Sequence, residues 1–319
     1  MFPSDVGRNG GFAFPGWLFL GRGGGGGGGG FFSALATTRA PQQQTRTADM
    51  SVLTTLGQAA LLDLAIQWTV GGASILLQTE KLYDLTGSST FLVLVLFTLF
   101  FTTASSSSSF TARQLLLSSL VVLWAVRLGS FLFVRVLKEG KDRRFDRAKT
   151  QPLLFLLFWT IQAVWVLLTA LPVYVVNIAA ADGAKEEQAL GWLDWLGVAM
   201  WLVGFLVESI ADYQKFIFRA DPRNQSHFIR TGLWRYSRHP NYAGEIVLWW
   251  GIFLLSFSSL PSTTWRALCL FSPCFVMFLL TKVSGVPLIE KANDKKWGQQ
   301  AAYQHYKKNT PVLFPFLSS

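Results

Sequence analysis

From residue 51 onward the chain is a succession of long apolar blocks separated by shorter polar stretches. The blocks span 52–78, 91–110, 114–137, 152–178, 190–211, 243–260 and 265–281. About 20 apolar residues of helix cross the hydrocarbon core of a bilayer. Each block is that long or nearly so, which predicts an all-α integral membrane bundle of six to seven transmembrane helices, with the lipid bilayer as its solvent. The first block contains Asp63 and the Gly71-Gly72 pair, and the second runs into the serines of 105–109. Either helix is therefore expected to be tilted, bent or partly interfacial.

Charge between the blocks sets the orientation. Segments 138–149 and 212–238 and the tail from 282 each carry six Lys or Arg. Three, five and seven crossings precede them, so all three fall on one face. The other face has Arg113, Lys185 and, near an interface, Arg266. By the positive-inside bias the rich face is cytosolic and the N-terminus lies across the membrane.

Composition narrows the class. The 319 residues are 51% hydrophobic and 14% charged, against roughly 25% charged in a soluble domain, which excludes an ordinary cytosolic enzyme. The formal net charge of +10 falls between the apolar blocks, without zinc-finger spacing or a long basic stripe. Nucleic acid is thereby excluded as a partner, and a membrane surface or an anionic cofactor preferred. Cys269 and Cys274 share one block and point about 140° apart on a helix, which excludes a disulfide framework. His227, His239 and His305 fit no metal-ligand spacing, so no metal is expected.

Residues 1–49 differ from the rest. They hold the glycine run 23–30, the Gln tract 42–44, four Arg and two acids, and read as a flexible leader. It is either a transit peptide or a dispensable tail ahead of a start at Met50. The GxGxxG match at 21–26 has no strand before it and no helix pattern after it, and carries no weight. The membrane domain is then 50–319, with its cofactor-binding half at about 190–319.

The stretch 212–251, DYQKFIFRADPRNQSHFIRTGLWRYSRHPNYAGEIVLWWG, concentrates the candidate chemistry. Pro240 suits the first turn of a helix, where its missing N–H costs nothing. Free N–H groups and the helix dipole favour an anion at that end. Arg230, Arg235, Arg238 and His239 stand just before it, enough charge to hold a pyrophosphate. Asn241 and Glu245 lie four apart and share one face. An acid that deep in a membrane helix is a functional candidate, the bland alternative being a dipole or arginine partner. In the third block Arg135 reaches the cytosolic edge by snorkelling. Arg127 lies two turns deeper; it is either functional or paired with Asp63 or Glu208 to lock two helices.

The run FIRTGLWRYSRHPNYAGEI resembles the signature of the DUF1295 proteins, membrane relatives of the steroid 5α-reductases. The resemblance extends to YDLTGS at 83–88, to WAVRLGSFLFVRVLKEGKDRRF and to the tail LIEKANDKKWGQQAAYQHYKKNTPVLFPF, covering nearly all of 82–316. It implies a multi-pass helical reductase in which a nicotinamide cofactor enters from the cytosol and an apolar substrate from lipid. Carried over residue by residue, Asn241, Tyr242, Gly244 and Glu245 would line the cofactor, as would Asp212, Tyr213 and Arg219. Lys295 and Tyr303 match a late basic residue and tyrosine ahead of Pro311, and Arg127 matches an arginine of an early helix. Arg235, Tyr236, Arg238 and His239 complete the implied cofactor set.

The family pattern has a tyrosine three residues before that arginine, where this chain has Trp124. Tryptophan cannot protonate a carbonyl, so either Tyr83 or Asp84 replaces the donor or the substrate differs; Trp124 and Arg127 then face substrate. NADPH is preferred to NADH because the basic loops have charge to spare for a further phosphate. The rival from the same superfamily is a membrane methyltransferase using S-adenosylmethionine, which shares RHPxY, a late Glu and Tyr-x-x-Tyr; here Glu290 is followed by Lys291 rather than a second acid. A non-catalytic membrane scaffold is the third reading. The family default is the endoplasmic reticulum membrane, and the leader allows a plastid or mitochondrion.

Overall fold

The computed structural model describes residues 29–101, 109–181 and 189–315. Among these, ten α-helices and no strand occur: α1 (Gly29–Leu76), α2 (Tyr83–Leu96), α3 (Ala112–Glu139), α4 (Pro152–Thr169), α5 (Leu171–Ala181), α6 (Trp192–Ala220), α7 (Pro240–Phe257), α8 (Thr263–Phe278), α9 (Val286–Trp297) and α10 (Ala301–Asn309). Among the described residues, six stretches are long and apolar enough to cross a membrane: Asp49–Leu76, Tyr83–Phe100, Ala112–Glu139, Pro152–Thr169, Trp192–Ala220 and Thr263–Trp297. The sixth block, 243–260, becomes α7, 18 residues long and made more polar by Asn241 and Glu245. The chain divides into units 1–45 and 46–319. The glycine run of the leader lies almost wholly outside the described residues. From Gly29 the chain is helical, through Pro41 and ahead of the Met50 boundary.

Local chemistry explains where the helices begin and end. Thr111 accepts the N–H of Gln114, whose side chain returns to the N–H of Thr111, a capping box for α3. Gly140, at φ 79°, closes α3 in the left-handed region. The block 152–178, read above as one crossing, is two helices. Pro172 has no N–H for the Leu168 carbonyl, the Val173 N–H turns to the Ala170 carbonyl at 3.0 Å, and the Thr169 carbonyl so freed accepts the Ser272 hydroxyl of α8. The pair still crosses once. α4 begins beside α2, where Tyr83 Oη donates to the Phe158 carbonyl at 2.9 Å. α5 ends at the opposite pole, where Asn177 meets Gln114, Ser118 and Thr98.

The contacts carry the three basic segments to one end of the bundle. Arg144 and Lys149 of the loop after α3 pair with Asp84 and Glu80 beside the start of α2. Lys138 sits 4.5 Å over the Phe216 ring of α6, and Arg238 reaches Glu290 of α9. At the far end Arg113 is clamped by Asp194, with 3.2 and 2.7 Å bonds, and donates to Ser259 at 2.7 Å. Arg113 is thus a neutralised exception to the charge bias. Trp265 Nε1 donates to Asp49 at the same end.

The tightest seam joins α6 to α7. A Cβ built on Gly204 would meet the Gly244 carbonyl oxygen at 2.5 Å and the Leu248 nitrogen at 2.7 Å. One built on Gly197 would meet the Gly251 oxygen at 2.7 Å, and one on Gly251 the Gly197 oxygen at 2.6 Å. Two pairs of glycines at seven-residue spacing therefore let the backbones touch, the small-residue packing that drives helix association in lipid. Deeper in the bundle, Phe91 packs edge-on against Trp124 and Trp165, and Trp124 against Trp249.

Candidate functional site at the basic end

Because glycine brings α6 and α7 together, their polar residues meet α3 at the basic end. Arg127 donates to Glu208 and, at 2.6 Å, to Asp212. Asn241 Nδ2 donates to Asp212 at 3.1 Å. Glu245 lies one turn further into α7, within electrostatic range of Glu208. Three carboxyl groups thus surround one guanidinium in a site largely shut off from water. The helix-locking partner expected for Arg127 is Glu208, not Asp63, and Asp212 joins it. Two buried acceptors, Glu208 Oε2 and Asn241 Oδ1, have no hydrogen-bonding partner among the described residues.

A second cluster surrounds the turn before α7. The N–H groups of Arg238 and His239 donate to the carbonyls of Pro311 and Val312, at 2.9 and 3.1 Å, so the tail pins this turn. Arg238 Nη1 donates to Glu290, and His239 Nε2 lies 2.8 Å from the other Glu290 oxygen. Burial pulls the His239 imidazole below its ordinary value, Glu290 pulls the other way, and burial wins with help from Lys215 and Arg238. Tyr242 stacks on His239, ring centroids 5.6 Å apart. Tyr303 donates to Asp294; burial, then Glu290 and Asp294, push its phenol up, so it remains a donor.

Between these elements lies a cavity of about 560 Å³, within the range of small-molecule sites. Lys215 and Arg219 enter it from α6, Arg238 from the turn and Lys296 from α9, against the single carboxylate Glu290. Aromatic faces come from Trp234, Trp297, Tyr303 and Tyr306. Trp234 is fixed by its Nε1–H to the Ala211 carbonyl and carries Lys215 4.5 Å above its ring. Arg238 Nε and His239 Nδ1 are buried without partners.

The residues singled out in the sequence divide three ways. Arg219, Arg238 and Tyr303 line the cavity, with His239 and Tyr242 stacked beside it. Arg127, Asp212, Asn241 and Glu245 form the carboxylate cluster. Tyr213, Arg235, Tyr236 and Lys295 are exposed and do not line the cavity. Trp124 is fully buried among aromatic rings, its Nε1 without a partner. Tyr83 Oη is committed to the Phe158 carbonyl, and Asp84 is held by Arg144 and Arg135. Sequence reasoning undervalued Glu208, one turn before Asp212 on the same face, a signal that was present. Lys215, Trp234 and Lys296 were not singled out, because the fold alone brings their segments together.

An uncharacterized protein of Schizosaccharomyces pombe (strain 972 / ATCC 24843), C594.04c, is 26% identical to this chain, with 44% of this chain and 48% of the relative covered. The chain therefore spans about half the length of that curated relative. No solved structure matches. The family model described as a protein of unknown function, DUF1295, matches residues 70–310, which hold the carboxylate cluster, the turn before α7 and the cavity lining. On that match the chain belongs to the DUF1295 family.

Proposed function

We propose that this chain is a membrane reductase that uses NADPH to saturate a carbon–carbon double bond, conjugated to a carbonyl, in a sterol- or isoprenoid-like lipid. The observation that carries the reading is the cavity lining: Lys215, Arg219, Arg238 and Lys296 beside indole and phenol faces. Cations with planar π surfaces suit a nucleotide with several phosphates. The orphaned polar atoms fit as well. Arg238 Nε can donate to phosphate, and Asn241 Oδ1 can accept from an amide N–H. When bound, the cofactor would be held by Arg219, Arg238 and Lys296 and would supply the hydride for the double bond, with the balancing proton drawn from water at the cavity mouth.

The chain's own part is orientation and exclusion of water. Arg127 holds Asp212, Asp212 accepts from Asn241 Nδ2, and the amide is thereby turned so that Oδ1 is left as the acceptor. Packing of α3, α6 and α7 keeps solvent from this point, which strengthens every polar contact there. Tyr83 and Asp84, expected as donors, are engaged by Phe158 and Arg144, and the reading gives them the task of holding the loop after α3. By the positive-inside bias the cavity opens to the cytosol, with the endoplasmic reticulum as first choice of membrane.

One observation favours the methyltransferase alternative: Glu290 neutralises Arg238 and contacts His239, which lowers the cavity's positive charge. Calorimetry on the detergent-purified full chain separates the two. We expect saturable NADPH binding, weakened about fivefold or more by Arg219→Ala or Lys296→Ala, with the larger loss at low salt. Saturable S-adenosylmethionine binding with none of NADPH or NADH would overturn the reductase reading.

A further inference from the structure

Away from both clusters, three polar side chains stand in the bilayer core without the partners such groups require. Asp63 of α1 is fully buried; among the described residues its carboxyl has only the Gln67 amide beside it, and neither oxygen makes a hydrogen bond of normal geometry. Gln67, one turn on and on the same face, is also fully buried. Its Nε2 donates to Thr90 of α2 at 3.1 Å, while Oε1 has no partner. Tyr174 of α5, within electrostatic range of Asp63, is fully buried with an unpartnered hydroxyl.

The contrast with the other intramembrane acids is sharp. Asp194 has Arg113, Glu208 and Asp212 share Arg127, and Glu245 lies within electrostatic range of that same guanidinium. Among the described residues, Asp63 has no cation. An acid at this depth is expensive and marks a functional position unless a lock explains it; no ion pair supplies one here. Each unpartnered buried group also costs stability, a penalty that packing alone gives no reason to keep.

We propose that Asp63, Gln67 and Tyr174 form a subsite that binds the single oxygen, hydroxyl or ketone, of an otherwise apolar lipid. Tyr174 Oη is an O–H donor, Gln67 Oε1 an acceptor, and the Asp63 carboxyl either, according to its protonation. A ketone oxygen takes the Tyr174 proton; a hydroxyl takes it and gives its own to Gln67 or Asp63. A charged headgroup finds no counter-ion here and is rejected. The residue after Thr90, Phe91, opens the tryptophan cluster of Trp124 and Trp165, an apolar wall for the body of such a lipid. This inference rests on the proposed function only for the apolar class of ligand, and nucleotide calorimetry tests that reading separately.

The test is photolabelling of the full chain in lipid nanodiscs. The probes are a diazirine-bearing sterol in 3-hydroxyl, 3-keto and 3-deoxy forms, and a diazirine-bearing isoprenoid alcohol with its deoxy counterpart. For at least one pair, we expect the oxygenated form to label wild type about tenfold more than the deoxy form, the worth of one to two hydrogen bonds. Asp63→Leu, Asp63→Asn and Tyr174→Phe should each erase that preference. Asp63→Leu should meanwhile melt at the same temperature or higher, because it removes an unpartnered acid. NADPH titrations of these variants should match wild type, which separates loss of the subsite from loss of the cofactor site. Equal labelling by oxygenated and deoxy probes, no labelling by any probe, or a preference that survives both substitutions at Asp63 would each overturn the proposal.

Discussion

Replacing Gly204 by alanine puts the α6–α7 seam to a quantitative test. The added methyl would lie 2.5 Å from the Gly244 carbonyl oxygen, 2.7 Å from the Leu248 nitrogen and 3.0 Å from the Leu248 Cα. Comfortable contact to carbon lies at about 3.5–4.0 Å, so the helices must part by roughly 1 Å. All three atoms are backbone, and no rotamer change can relieve the clash. Overpacking of this kind costs about 1–3 kcal/mol, and a chain of this size loses about 2–4 °C in melting temperature per kcal/mol. The expected shift is therefore a fall of about 2–12 °C, read by tryptophan fluorescence during heating in detergent. Gly57, exposed on α1 with nothing within 4 Å of an added Cβ, is the control. Gly57→Ala should leave the melting temperature unchanged or raise it, since alanine is the better helix former. The Gly204→Ala, Gly244→Ala double variant should lose less than the sum of the singles, because helices already parted have room for the second methyl. Equal melting of Gly204→Ala and Gly57→Ala would refute the backbone-contact argument.

Further outcomes follow from the charges. Arg127→Met should destabilise by about 3–5 kcal/mol, because it strands Glu208 and Asp212 without a cation; chemical denaturation should show Glu208→Gln costing less and partly rescuing the double variant. Burial lowers His239, so the folded chain resists its protonation: thermal stability should be complete above the ordinary value near about 6.5 and fall as pH drops below it. Glu290, Lys215 and Arg238 face that imidazole, and His239→Asn should flatten the slope just below that pH, whereas an unchanged slope would remove His239 as its source. Single cysteines placed in 138–149, in 212–238 and after 282 should all label from the same side of sealed vesicles, and one segment labelling from the opposite side would break the topology. Deleting residues 1–48 should leave a folded, membrane-inserted chain, because the Asp49 bond to Trp265 is retained; aggregation in detergent would assign the leader to the fold.

The fold was legible to the extent that it rests on one-dimensional quantities. Apolar block length and the three sixfold basic segments gave the bundle and the common end of those segments, because lipid selects on length and charge before packing acts. The break at Ala170 was missed even though Pro172 is plain in the sequence, since apolar counting does not register a missing N–H. At the site, Arg238 was read as free for phosphate. Glu290, 52 residues further on, occupies it, and only the docking of α9 against the turn reveals that. Asn241 and Glu245 were found because helical spacing fixes their common face, whereas Lys215, Trp234 and Lys296 come from three segments whose meeting no local rule encodes.

The clamp between Arg113 and Asp194 also has a temporal side. The two are separated by 81 residues of chain. Synthesis at roughly 5–20 residues per second leaves about 4–16 s between them. During that interval α3 is in the bilayer with its arginine at the far interface and no counter-ion, held only by water and lipid headgroups. Arrival of α6 ends the wait, and Ser259 just past the end of α7 accepts a hydrogen bond from the same guanidinium. The first half of the bundle is thus a provisional assembly that becomes permanent only when the second half is translated.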